Sequence, residues 1–163
     1  MNNEKYNIFI DEQKSYFNEN LQSNFKWDWN DSAWYGGTIG SGWLLSRSGK
    51  VNFTFSTIKR LKGVENTINT DFQEFIKSVL ILSYRKSNSK ASPQKLYAEF
   101  LILKRWYSAL YTEKIESIHP CQLSTLILNK SFEILAENSS RMNLPDHVGT
   151  YRRLQEIINH YAF

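Results

Sequence analysis

Sulfur, histidine and long apolar runs are what this chain is short of. Its single cysteine, Cys121, cannot close an internal disulfide, and no second thiol exists for a cysteine-based zinc site. The three histidines, His119, His147 and His160, stand too far apart for any two to share the i, i+3 or i, i+4 spacing of a helix-borne metal site. Neither a metal nor another cofactor is expected. No stretch nears the roughly 18 apolar residues of a membrane-spanning helix, and the first residues carry Glu4, Asp11 and Glu12 where a signal peptide would be apolar. A soluble protein of a reducing, cytoplasmic setting with no membrane partner is the expectation. The glycines of YGGTIGSG (35–42) end without the Lys-Ser/Thr of a P-loop, so no small-molecule substrate is expected there.

Proline is also scarce, and its positions inform: Pro93, Pro120 and Pro145 each stand where a helix is predicted to open. Aromatic residues are plentiful at 15%, within a hydrophobic share of 41%, enough to build a core and to exclude wholesale disorder. From Glu4 to Asn20, Tyr6, Phe9, Ile10, Gln13 and Phe17 follow helical spacing with one polar interruption. The next stretch interleaves Phe25, Trp27, Trp29, Trp34, Tyr35 and Trp43 with Gly36, Gly37, Gly40 and Gly42, which predicts irregular or short-stranded structure. These rings read first as a satellite core beneath a hairpin, and second as a stacking platform for single-stranded bases. WLLSR (43–47) and VNFTFST (51–57) flank Ser48, Gly49 and Lys50 as the arms of a β-hairpin.

TIKRLKGVENTIN (57–69) shows no sustained period and reads as a connection, with a boundary between an N-terminal module, 1–64, and a helical domain, 65–163. Thr70 and Gln73 form a capping-box pattern opening a helix through Phe72, Phe75, Ile76, Val79 and Leu80 to about Lys86. Ser92-Pro93 opens a second, with Leu96, Phe100, Leu103, Tyr107 and Leu110 on one face. His119-Pro120 opens a third with Leu123, Leu126, Ile127 and Ile134, and Pro145 a fourth with Val148, Tyr151, Leu154, Ile157, Ile158 and Tyr161. The prediction is a mainly α protein, a four-helix bundle preceded by an aromatic module with a β-hairpin.

The net charge of +4 is modest, and its placement says more than its size. Between Lys77 and Arg105 stand Lys77, Arg85, Lys86, Lys90, Lys95, Lys104 and Arg105 against one acid, Glu99. Lys86 and Lys90 flank a helix-helix loop, Lys95 lies in a first helical turn, Lys104 and Arg105 lie on the outer side of the second helix, and Arg152 and Arg153 lie outside the apolar stripe of the fourth. Cations beside helix starts add to backbone N–H groups in a way suited to positioning phosphates. Those seven residues are the candidate DNA contacts, with Asn88, Ser92 or Gln94 as candidate base readers.

From Asp71 onward the chain resembles the N-terminal core-binding domain of tyrosine recombinases, the phage-integrase family. DFQEFIKSVLILSYR (71–85), LYAEFLILKRWYSALY (96–111), IESIHPCQLSTLILNKSFEILAEN (115–138) and TYRRLQEIINHYAF (150–163) carry the resemblance, and WLLSRSGKVNFTFST suits integrases with an extra N-terminal region. The resemblance implies a SAM-like bundle that clamps double-stranded DNA at a recombination site during DNA integration. Its second and fourth helices would face the duplex, and integrase protomers would touch one another on it. The family's catalytic arginines, HxxR motif and tyrosine nucleophile belong to a separate domain, and no HxxR followed by a tyrosine occurs here. No catalytic residue is therefore expected in this chain, which reads as a fragment that binds but does not cut. The alternative is a helical protein-interaction module of a mobile-element or phage regulator, docking through its tryptophan segment.

Overall fold

The computed structural model describes residues 3–21, 28–35, 52–59, 65–87, 93–112, 119–137 and 144–161. In chain order they form α1 (Asn3–Asn20), β1 (Ala33–Tyr35), β2 (Asn52–Thr54), β3 (Thr57–Lys59), β4 (Glu65–Thr67), α2 (Thr70–Lys86), α3 (Pro93–Thr112), a 3-10 turn (Pro120–Gln122), α4 (Thr125–Glu137) and α5 (Leu144–Tyr161). The fold is mainly α, with two short antiparallel strand pairs, β1–β2 and β3–β4.

α2 is the central element, because every residue from Phe75 to Ile81 is buried and a helix covered all round must be surrounded by its neighbours. α1, α3, α5 and the 3-10 turn pack on it, and α4 closes against α3 and α5. The predicted N-terminal helix thus joins the bundle through its expected face, Tyr6, Phe9, Ile10, Gln13 and Phe17. Phe72, Phe75, Ile76, Val79 and Leu80 of α2, and Leu96, Phe100, Leu103, Tyr107 and Leu110 of α3, are buried as their spacing predicts.

Helix starts differ from the sequence reading in two places. α2 is capped by Asn69, whose Oδ1 accepts from Phe72 N at 2.9 Å, and not by Thr70; Gln73 Nε2 instead donates to Ile68 O at 2.7 Å. Two cap-forming residues stand side by side, and the one in extended conformation at the strand exit takes the role. Pro120 opens only a 3-10 turn, capped by His119 Nδ1 accepting from Cys121 N at 3.1 Å, and the helix proper starts at Thr125 behind Ser124, whose Oγ accepts from Ile127 N at 3.2 Å. Two predicted apolar stripes hold except at one position each. Leu126 is 78% exposed while α4 buries Leu128, Ser131 and Leu135, and Val148 is 43% exposed while α5 buries His147 and Thr150 ahead of Leu154, Ile157 and Ile158. Ser131 earns its burial by accepting from Trp106 Nε1 at 2.8 Å, and a pattern search for apolar residues passes over such a position.

The strand predicted over 51–57 is present as β2, with Phe53 and Phe55 buried, and its described partner is β1, in the register Ala33↔Thr54, Trp34↔Phe53, Tyr35↔Asn52. The other predicted hairpin arm, 43–47, and its turn, 48–50, lie outside the described residues. The stretch 57–69, read as a plain connection, holds β3 and β4, paired Thr57↔Thr67 to Lys59↔Glu65. Strands of three residues are too short to display a two-residue period.

Among the described residues the aromatic rings form no separate satellite. Trp34 stacks on Phe17 at 5.1 Å and 7°, and Phe55 links Trp34, at 4.8 Å, to Phe100 of α3, at 5.3 Å, so that one apolar core runs from α1 to α5. Into it α2 projects Lys77, whose Nζ donates to the carbonyls of Trp29 at 2.5 Å and Asp31 at 2.8 Å and lies 5.5 and 5.1 Å from the Trp34 and Phe55 ring centroids. Burial pulls this ammonium from an ordinary 10.5 down to about 8, against the opposing pull of the Glu74 and Asp31 carboxylates.

Two outcomes follow from these contacts. Asn69→Ala is expected to cost about 1 kcal/mol and Thr70→Ala a few tenths at most, read as shifts in urea midpoint; equal losses would return the cap to Thr70. Because folded Lys77 releases its proton at lower pH than the unfolded chain does, stability rises as pH climbs from about 8 toward about 10. Above that the trend reverses, since burial and the Glu12 carboxylate push the Tyr161 phenol up to about 12, and burial raises Tyr6 as well. Lys77→Met removes its share of the rise, leaves that of Lys104, whose ammonium burial also lowers, and keeps the fall, a difference visible in urea midpoints taken across the range.

Candidate nucleic-acid interface

The seven candidate cations part into groups. Lys86, at the end of α2, is exposed but tied to Glu156 Oε2 at 3.0 Å, and that contact holds the Glu156 carboxyl below its ordinary range. Lys104 reaches across α3 to the strand pair: its Nζ donates to Thr54 O at 3.0 Å, lies 5.1 Å from the Phe100 centroid, and is lowered in pKa by burial. Its charge fastens β2 to α3. Lys95, Arg105 and Arg152 are exposed, and Arg153 is partly so, its Nη1 3.8 Å from Glu156. Lys90, Asn88 and Ser92 lie outside the described residues, and Gln94 lies in the first turn of α3.

Lys95 and Arg153 meet at a groove of about 280 Å³ between α3 and α5, lined by Lys95, Ala98, Glu99 and Ile102 from one helix and Gly149, Thr150 and Arg153 from the other. Spacing explains the walls. Lys95, Ala98, Glu99 and Ile102 recur at i, i+3, i+4 and i+7 along one side of α3, and Arg105 continues that row three residues on. On α5, Gly149, Arg152, Arg153 and Glu156 recur in the same way. Lys104 falls outside the α3 row, which is why it turns to the strands.

Glu99 is the acid of this groove. Its Oε1 accepts from Ser83 Oγ of α2 at 2.7 Å, and burial holds its carboxyl above the ordinary range against the hydrogen bond from Ser83 and the pull of Arg153 and Lys95. In the sequence Glu99 is simply one negative charge and Lys77 one positive. The signal that Lys77 is internal was its place inside the apolar run Phe75–Ile81, where a solvated lysine has no room.

The tryptophans offer no platform among the described residues, for Trp29 and Trp34 are both buried; Trp27 and Trp43 lie outside them. Cys121 is buried, its thiol donating to Asn3 Oδ1 at 2.9 Å and raised in pKa by burial, as suits a small core residue and not a nucleophile. Among the described residues no three His, Cys, Asp or Glu side chains gather as a metal site, and no helix is long and apolar enough to cross a membrane. Comparison with protein-family models, with curated proteins and with solved structures returned no match.

The division of the cations is testable by stability alone. Lys104→Ala is expected to destabilise by about 1–3 kcal/mol, because it leaves the Thr54 carbonyl without its donor. Arg105→Ala, at an exposed position, should stay within about 0.5 kcal/mol. Urea unfolding of the two variants checks this, and equal effects would mean that Lys104 is ordinary surface.

Proposed function

We propose that this chain is a double-stranded-DNA-binding module of a site-specific recombination or integration system, gripping the duplex with the α3/α5 side of its bundle. The observation that carries the reading is the row of cations on two neighbouring helices, Lys95 and Arg105 on α3 and Arg152 and Arg153 on α5, of which Lys95 and Arg153 line one groove. Lys95 and Arg105 are ten residues apart, about 15 Å along a helix at 1.5 Å per residue. That separation is commensurate with phosphates on either side of a major groove about 12 Å wide. Phosphate contacts of this kind supply affinity and register, and carry no sequence information themselves.

Resemblance of residues 71–163 to the core-binding domain of tyrosine recombinases supports the same reading and supplies its context, DNA integration with a separate catalytic domain and partner protomers on the DNA. The arrangement of α2 to α5 accommodates that expectation: the second and fourth helices of the bundle, α3 and α5, are the two that carry the cationic rows.

Fluorescence anisotropy of the chain with a labelled duplex from the element's termini, beside a scrambled duplex, at two salt concentrations, tests it. Affinity should fall steeply with salt, and Arg105→Ala and Arg152→Ala should each lower the log–log salt slope by about one unit on both duplexes. Preference for the terminal duplex would establish site recognition. No binding at low salt overturns the reading, and unchanged slopes in both variants move the contact to another face.

A further inference from the structure

The groove between α3 and α5 contains a residue that packing does not explain. Gly149 lies in the second turn of α5, exposed, where alanine is the better helix former. A Cβ built there would meet nothing within 4 Å, and the backbone is not in the left-handed region. Neither close packing nor chain geometry calls for glycine here. Its effect is to leave bare helix backbone at the groove, with Ala98, another small residue, on the α3 wall.

Around that opening stand cations from two helices, Lys95 and Arg153. Arg153 is incompletely engaged among the described residues: Nη1 is 3.8 Å from a Glu156 carboxylate that already binds Lys86 at 3.0 Å, and the buried Nε meets no acceptor among them. A guanidinium carries five N–H donors in a fixed fork, and a buried one left without an acceptor is unfavourable until an oxygen is brought to it. The acid of the groove, Glu99, is engaged by Ser83, and burial favours its uncharged form. At about 280 Å³ the space suits a tetrahedral oxyanion and the atoms attached to it, and falls below the roughly 300–1,000 Å³ of sites for larger organic ligands.

We infer that this groove seats one phosphate group, held between Lys95 and Arg153 as the Arg153 side chain turns inward, and drawn against the α5 backbone at Gly149. The inference deepens the duplex-binding reading and rests on it for the phosphate's bearer, a backbone phosphodiester; the chemistry of the seat is the same for free phosphate. It makes Gly149 the residue that sets how closely a strand approaches.

Inorganic phosphate is the first probe, added to the ¹⁵N-labelled full chain while the amide of Gly149 is followed, with chloride at matched ionic strength as control. A saturable shift centred on Gly149 is expected with phosphate alone. Arg153→Gln should abolish it, and Gly149→Ala should weaken it by about fivefold or more while leaving the melting temperature unchanged or higher, which separates loss of the seat from loss of the fold. On the labelled duplex, Arg153→Gln should lower the salt slope by about one unit. Phosphate binding without duplex binding keeps the seat and overturns the duplex reading. Duplex binding with no phosphate shift at Gly149, or Gly149→Ala binding phosphate as well as the parent chain, overturns the seat and leaves the wider interface standing.

Discussion

A buried ammonium joins the two ends of this architecture. Lys77 leaves the most enclosed part of α2 and spends its donors on the carbonyls of Trp29 and Asp31, with the faces of Trp34 and Phe55 close by. Those carbonyls belong to the irregular stretch before β1. Desolvating a lysine is unfavourable, and two strong acceptors with aromatic faces around them offset much of that cost. The result is directional, as a hydrophobic contact is not: the described part of the stretch sits on α2 at one register, with Trp29 and Trp34 buried.

The same device recurs at Lys104, which ties β2 to α3 by donating to the Thr54 carbonyl near Phe100. Two lysines, one on each of the central helices, thus hold the strand-bearing segment to the bundle. Electrostatics in this chain is layered in consequence. Some cations are internal fasteners, one is neutralised on the surface by Glu156, and Lys95, Arg105 and Arg152 are exposed, with Arg153 at their edge. The proposed interface rests on that exposed set and not on the gross basic excess.

How much of this could be read beforehand follows from which force fixes each feature. α1, α2 and α3 were legible because their buried faces are apolar and long, and repetition over four or five turns survives an interruption such as Gln13. The faces of α4 and α5 were legible except at Leu126 and Val148, and incomplete because part of what they bury is polar: Ser131 answers the Trp106 indole, while His147 and Thr150 occupy positions an apolar search leaves blank. β3 and β4 were invisible, being three residues each and specified by a partner instead of by a pattern. The site was half legible. Charge positions are in the sequence, but the distinction between Lys104 and Arg105, adjacent and alike, exists only once β2 lies beside one of them. The groove at Gly149 needed two helices to be set side by side before its emptiness meant anything.

The packing of α1 against the far end of the chain carries a consequence for synthesis. Phe9 meets the ring of Tyr161 at 5.0 Å, and the Tyr161 hydroxyl donates to Glu12 at 2.5 Å, residues 149 positions apart. At about 5–20 residues per second, α1 waits on the order of ten seconds on the ribosome for the helix that covers it. During that interval α2 and Trp34 are already available to part of its aromatic face, and the part beside Tyr161 stays open. α1 is thus fully enclosed only once α5 has been made, and the nascent form before that point is the one for which chaperones have most to hold.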